Sequence, residues 1–304
     1  MKTILNSVVA GSLLATLALA QAPHGYRRWN LPSTGARPAA EDSKPHKPGP
    51  LAYVITTAFQ FGVVDLHSGT FLPIGPGLPP NVGTGLVPGR GATLLSLAFD
   101  GNLDAIDPVT GITSVVGATG LHDCTLPTDP YDSKCANVIG RLDGTVYVTD
   151  FVNNLYSVNT ATGAATLIGP TGIPPLTFVP FTANPDGSVN VYSESLFSAH
   201  GKFYAYFSAI AVDFATGAVR ILVPGALYQI NPATGHTNFV APTNTNLSTI
   251  VNVNDTIYSF DVAAGQVVTL DLTSGQTTPI SPLDPAASVI AGATPARPSP
   301  AAGH

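Results

Sequence analysis

Five times along the chain a D/N-x-x-S/T-G turn joins two short apolar segments, at Asp65–Gly69, Asp107–Gly111, Asn159–Gly163, Asn231–Gly235 and Asp271–Gly275. The turn has a mechanism. The leading Asp or Asn bonds its own backbone two residues on, Pro108 and Pro232 pre-set φ, and the closing Gly accepts a positive φ. Each turn therefore predicts a tight antiparallel hairpin. Around it the segments recur: LAYVITTAF, FGVVDLHSG and TFLPIG from Leu51; TLLSLAF, LDAIDPVTG and ITSVVG from Thr93; TVYVTDF, LYSVNTATG and AATLIG from Thr145. FYAYFSAI, LYQINPATG and HTNFVAP follow from Phe203, and TIYSF, VVTLDLTSG and QTTPIS from Thr256. All are short and rich in β-branched and aromatic residues, and many alternate as half-buried strands do. Self-similarity at such a period means a solenoid, propeller or array.

A fourth strand per copy is needed for a propeller blade. NVIGRL from Asn137, VNVYSESLF from Val189 and LSTIVNV from Leu247 precede copies three, four and five, with Val82–Val87 a poorer candidate before copy two. Copy one has none upstream, while ASVIAGA from Ala287 is spare at the other end. The expected solution is a ring closed by the C-terminal strand in the first blade, which removes the exposed edges that make open sheets hazardous. The closing glycines are 42, 52, 72 and 40 residues apart. The 72-residue gap leaves six blades open as the alternative. Five are preferred, with Asp213–Gly217 supplying an extra hairpin as an insertion beside His200. The fold class predicted is thus an all-β, five-bladed β-propeller over residues 51–297, with 298–304 a frayed tail.

Residues 51–304 carry 16 Asp or Glu against 6 Lys or Arg, a net of −10. That balance argues against nucleic-acid binding, which needs clustered basic side chains. Met1–Ala20 reads as a secretory signal cleaved after Ala20, with Lys2 ahead of an apolar run and a small-residue cleavage site. Residues 21–50 hold six prolines and read as a disordered leader. No later stretch is long and apolar enough to span a bilayer. The expectation is a secreted or periplasmic, monomeric protein.

Chemistry-bearing residues are few. Cys124 and Cys135, an even count in an exported chain, are expected to form a disulfide, worth about 3 kcal/mol for so short a loop. The same loop carries His122, Asp123, Asp129 and Asp132, and His200 sits in a turn; together they are candidate ligand-binding residues. Clustered oxygens suit Ca²⁺, but no calcium-loop or zinc spacing is present and no metal site is assigned. Glu194, the one Glu in the repeats, lies inside an apolar strand, so a channel carboxyl acting as a general acid is one reading and a surface residue the other. Asp150 stands where other copies have Ala58, Ala98 and Ser259 before their Phe, and Asp104 stands where Tyr156 and Tyr228 do. Paired acids of this kind serve glycoside hydrolysis.

DGNLDAIDPVTG from Asp100 and DGTVYVTD from Asp143, with LYSVNTATG and LYQINPATG, resemble secreted β-propeller repeats of the NHL-like, quinoprotein-like and lactonase-like kind. The resemblance covers about four-fifths of the chain and implies the fold. The families include lyases, lactonases and pure binding scaffolds. The Trp-lined motif of quinoproteins is missing, since the single Trp29 lies in the leader, and the lactonase-like metal set of Glu, Asn and Asp is not recognisable as a motif. The sequence therefore favours a non-catalytic protein for an extracellular glycan or protein partner. A glycosidase- or lactonase-like hydrolase or lyase is the alternative. No cofactor is expected beyond Ca²⁺.

Overall fold

In a computed structural model, residues 49–79, 81–83, 85–121, 136–174, 184–213, 219–287 and 289–296 are described. They form twenty strands in five four-stranded antiparallel sheets. Blade 1 is β1 (Leu51–Thr56), β2 (Phe61–Asp65) and β3 (Phe71–Pro73), with β20 (Ile290–Pro295) as its innermost strand. Blade 2 holds β4 (Val87–Pro88), β5 (Leu94–Leu97), β6 (Asn102–Ile106) and β7 (Thr113–Ala118). Blade 3 is β8 (Ala136–Leu142), β9 (Thr145–Asp150), β10 (Asn154–Val158) and β11 (Ala165–Pro170). Blade 4 is β12 (Val189–Ala199), β13 (Lys202–Val212), β14 (Val219–Ile230) and β15 (Thr237–Pro242). Blade 5 is β16 (Leu247–Val253), β17 (Thr256–Asp261), β18 (Gln266–Leu270) and β19 (Thr277–Pro282). A 3₁₀ turn at Pro285–Ala287 leads into β20.

The innermost strands pack side by side around the axis in the order β20, β4, β8, β12, β16 and back to β20. The ring is closed as the spare C-terminal segment implied: β20 pairs antiparallel with β1, Tyr53 opposite Thr294 and Val54 opposite Ala293. Closure is repeated at the rim, where the Asp284 amide donates to the Gly69 carbonyl across 2.9 Å.

There is no single central core. Five apolar layers lie between neighbouring blades. Ile55, Phe61, Leu94 and Ile106 fill the layer between blades 1 and 2, and Leu97, Leu103, Val146 and Val148 that between 2 and 3. Leu155, Leu196 and Phe203 fill the layer between 3 and 4, Tyr206, Leu227, Ile250 and Ile257 that between 4 and 5, and Val54, Val64, Tyr258 and Phe260 the last. The second strand of a blade is therefore covered on both faces; β9 and β17 are buried at every position after the first. This explains near-continuous apolar runs where clean alternation would mark a one-sided sheet. The outermost strands β7, β11, β15 and β19 are half-buried to exposed almost throughout.

The repeated turn does two jobs. In every copy the closing Gly amide donates to the carbonyl of the leading Asp or Asn at 2.8 Å, and a side-chain oxygen of that residue accepts from the amide two positions on. The glycines sit at φ between 70 and 83°. A Cβ there would also overlap a backbone carbonyl of the preceding blade: that of Pro282 for Gly69, Ile74 for Gly111, Gly117 for Gly163, Gly169 for Gly235 and Pro242 for Gly275. The same glycine thus makes the turn and lets adjacent blades interlock. A second device is a β-bulge in the outer strand, where the pairing skips Val116, Ile168, Val240 and Ile280. The extra residue turns an apolar side chain back onto the layer between its own blade and the next.

The long fourth repeat is an enlarged blade, not a sixth one. β13 and β14 pair from Phe203–Ile230 out to Val212–Val219, so the extra residues lengthen the blade's middle hairpin. His200, at φ 51°, turns β12 into β13 at the other end of those strands, away from the insertion rather than beside it. The Gly-rich segment GTGLVPGRG from Gly83 contains β4, and Val82 just before it makes a single bridge to Ala98.

Candidate functional site

The channel is lined by the first strand of each blade, and its two ends differ. At the end where β8 begins, Glu194 of β12 points into a buried polar cluster and is only 8% exposed. One carboxyl oxygen accepts from the Thr149 hydroxyl of β9 at 2.9 Å. The other accepts a short hydrogen bond from the Asn137 amide of β8. The Asn137 carbonyl oxygen in turn accepts from the Tyr192 hydroxyl at 2.8 Å. The Phe151 ring meets Tyr192 edge-on at 5.4 Å. Glu194 is placed there because β12 and β8 are adjacent inner strands and close approach is permitted at Gly140, whose absent Cβ would strike Leu196.

Burial pushes the Glu194 carboxyl up to about 8, and the nearby Asp150 charge adds to this against the opposing pull of its two donors. It is therefore largely protonated at neutral pH. Burial and the Glu194 charge hold the Tyr192 phenol well above its ordinary range.

Asp150 is near enough to be felt, but its oxygens are committed. One accepts from the amides of Val152 and Asn154 at 3.1 and 2.8 Å; the other accepts from the Asn154 side-chain amide at 2.8 Å and the Tyr156 hydroxyl at 2.9 Å. Burial and this bond raise Tyr156 to about 12. Asp150 is shared by one other copy: β9 and β17 align it with Asp261, which likewise accepts from backbone amides of the following turn, those of Ala263 and Ala264. The Ser259 alignment was one residue out of register with the strands.

Asp104 does not join this cluster. It lies on β6, the third strand of blade 2, opposite Ser96, and is 3% exposed with Oδ1 unpartnered. Burial first, then Asp100, raises it to about 6. His200 is exposed at the far end of β12. Cys124, Cys135, His122, Asp123, Asp129 and Asp132 lie outside the described residues, as do residues 1–48 and 297–304. Among the described residues no group of three His, Cys, Asp or Glu side chains is placed to hold a metal, and no helix is long and apolar enough to cross a membrane.

Asn137, Thr149 and Tyr192 were not singled out as site residues from sequence. A usable signal existed in hindsight: Asn137 is a polar amide near the start of an otherwise apolar inner strand, ANVIGRL.

No protein-family model matches the chain, and no curated protein does. Solved structures do match by shape. A chain of the nidogen/laminin complex is 13% identical, with 81% of this chain and 97% of that one covered, at a TM-score of 0.45. Glutaminyl cyclase from Myxococcus xanthus is 12% identical over 81% and 76% at a TM-score of 0.33. The dihydro-heme d1 dehydrogenase NirN is 14% identical over 86% and 62% at 0.30.

Proposed function

We propose that the chain is an exported, non-catalytic propeller that binds an extracellular glycan at the channel mouth carrying Asn137, Glu194, Tyr192 and Phe151. The observation that carries this reading is the state of the acids. Hydrolysis of a glycoside uses two carboxyls about 5–10 Å apart, both available to substrate. Here Glu194 is held by Asn137 and Thr149, Asp150 is consumed by its own turn, and Asp104 belongs to another blade and another layer. What the mouth offers instead is the Tyr192 phenol beside the Phe151 ring, held in place from beneath by the buried Asn137–Glu194 pair. Planar polar groups suit sugar hydroxyls, and ring faces suit the apolar faces of pyranosides. The export signal read at residues 1–20 fits an extracellular ligand.

The test is a glycan-array screen of the mature protein, followed by calorimetry with Asn137→Ala and Tyr192→Phe. Selective glycan binding lost in both variants, with no product released on prolonged incubation, is expected. Turnover abolished by Glu194→Gln would replace this reading with the hydrolase. Absence of any glycan binding, with a protein captured instead at the same mouth, would replace the ligand class.

A further inference from the structure

The opposite end of the channel forms a separate, half-open pocket of about 330 Å³, walled by residues from the inner strands of all five blades. Its polar lining includes Pro88, Arg141, Asp143, Ser198, Asn252 and Thr294. Arg141 is the single basic residue on any inner strand of the described chain. It is half-buried, and its Nη1 donates to the carbonyls of Pro88, by a short bond, and Gly89 at 3.3 Å. Among the described residues no carboxylate lies within ion-pair distance of it, although the exposed Asp143 borders the same opening. One nitrogen is thus used to tie blade 3 to blade 2, while the charge and the remaining donors of the guanidinium are uncommitted.

A second observation comes from Asn252 of β16. Its side-chain amide donates to the Ser198 carbonyl at 3.1 Å, which fixes the orientation of the group. Its Oδ1 is buried and has no partner. A buried acceptor left unpaired is costly, so a small turn of the side chain that brings Oδ1 to a donor in the pocket is favoured. Ser198 and Thr294 add hydroxyls to the wall, and hydroxyls both donate and accept.

We propose that this cavity binds a hydroxy acid the size of a monosaccharide, of the uronic or aldonic class, with its carboxylate on Arg141 and a hydroxyl on Asn252. The volume is about that of ten waters, enough to seat one six-carbon acid. A guanidinium with free donors is the preferred partner of a carboxylate. A hydroxyl is favoured over an ammonium as the second group. The one acid at the opening, Asp143, is exposed and screened, whereas the Ser and Thr hydroxyls match a polyol. The proposal is independent of the glycan reading, since it concerns the other mouth.

The test is calorimetric titration of the mature protein with glucuronate, gluconate, glucose and serine, on wild type, Arg141→Gln and Asn252→Leu. Unliganded melting temperatures monitor folding. Saturable binding of glucuronate or gluconate is expected, with glucose bound roughly tenfold or more weakly and each variant losing a similar factor. Arg141→Lys, which keeps the charge, should recover part of the affinity even if Arg141→Gln unfolds. Equal affinity for glucose and glucuronate, preference for serine, or unchanged affinity in Arg141→Gln and Asn252→Leu would each overturn the proposal. So would the absence of any heat at 20 mM-scale acid, roughly the weakest affinity such a site would show.

Discussion

Replacing Glu194 by Gln should abolish a fall of stability with rising pH that a buried, protonated carboxyl imposes. In the folded protein burial raises this group from 4.5 to about 8. Between those values the unfolded chain releases the proton and the folded one keeps it, so stability falls as pH rises across the window and levels off above 8. At 1.36 kcal/mol per pH unit the full loss is at most about 5 kcal/mol. Gln can keep the polar contacts of the protonated acid, its NH₂ donating to the Thr149 hydroxyl and its oxygen accepting from the Asn137 amide. The variant and wild type should therefore match within about 1 kcal/mol at pH 4.5. By pH 8.5 the variant should be the more stable by several kcal/mol. The assay is guanidinium unfolding at half-unit intervals from pH 4 to 9. Titrating groups not coupled to Glu194 cancel in the difference curve, and Tyr192, which is coupled, titrates above the pH range used. Parallel curves, or a variant less stable at pH 8.5, would refute the assignment of a protonated Glu194 and with it the polar cluster as described.

Asp104→Asn should stabilise at pH 8 by about 2 kcal/mol, after allowing for screening, and make no difference near pH 4. Its folded value of about 6 means that the wild-type stability is lost as pH rises through that range. Gly275→Ala should cost at least about 2 kcal/mol, because φ is 70° and the new Cβ would overlap the Pro242 carbonyl; the denaturant midpoint reads this directly. Asp261→Ala, which removes the cap on Ala263 and Ala264 and the partner of the Thr245 hydroxyl, should lower stability by about 1–2 kcal/mol without altering ligand binding at either mouth.

The architecture was legible because the turns repeat. Five Asp or Asn–Gly spacings and a spare apolar segment at the C-terminus are enough to count blades and close the ring. What pairs with what across blades was not legible. That the turn glycines abut a neighbouring carbonyl, or that Val116, Ile168, Val240 and Ile280 are bulged inward, depends on contacts between different blades, which composition and period do not encode. The register slip at Asp150 has the same origin. Aligning on Phe matched letters, whereas β9 and β17 align on the acid that caps the following turn. Glu194 was conspicuous by its isolation among apolar neighbours. Its partners Asn137 and Thr149 were not, because strands β8 and β9 contribute them from 57 and 45 residues away. Arg141 was hidden for a simpler reason: a lone basic residue near a strand end normally reads as a solvated surface group.

The account rests on a ring latched by β20 against β1. The most direct measurement is equilibrium unfolding of a chain ending at Ala287, which lacks that strand. Loss of a cooperative transition, or a midpoint and denaturant slope both sharply lowered because blade 1 and its layers against blades 2 and 5 open, is predicted. An unchanged midpoint and slope would contradict the closed ring.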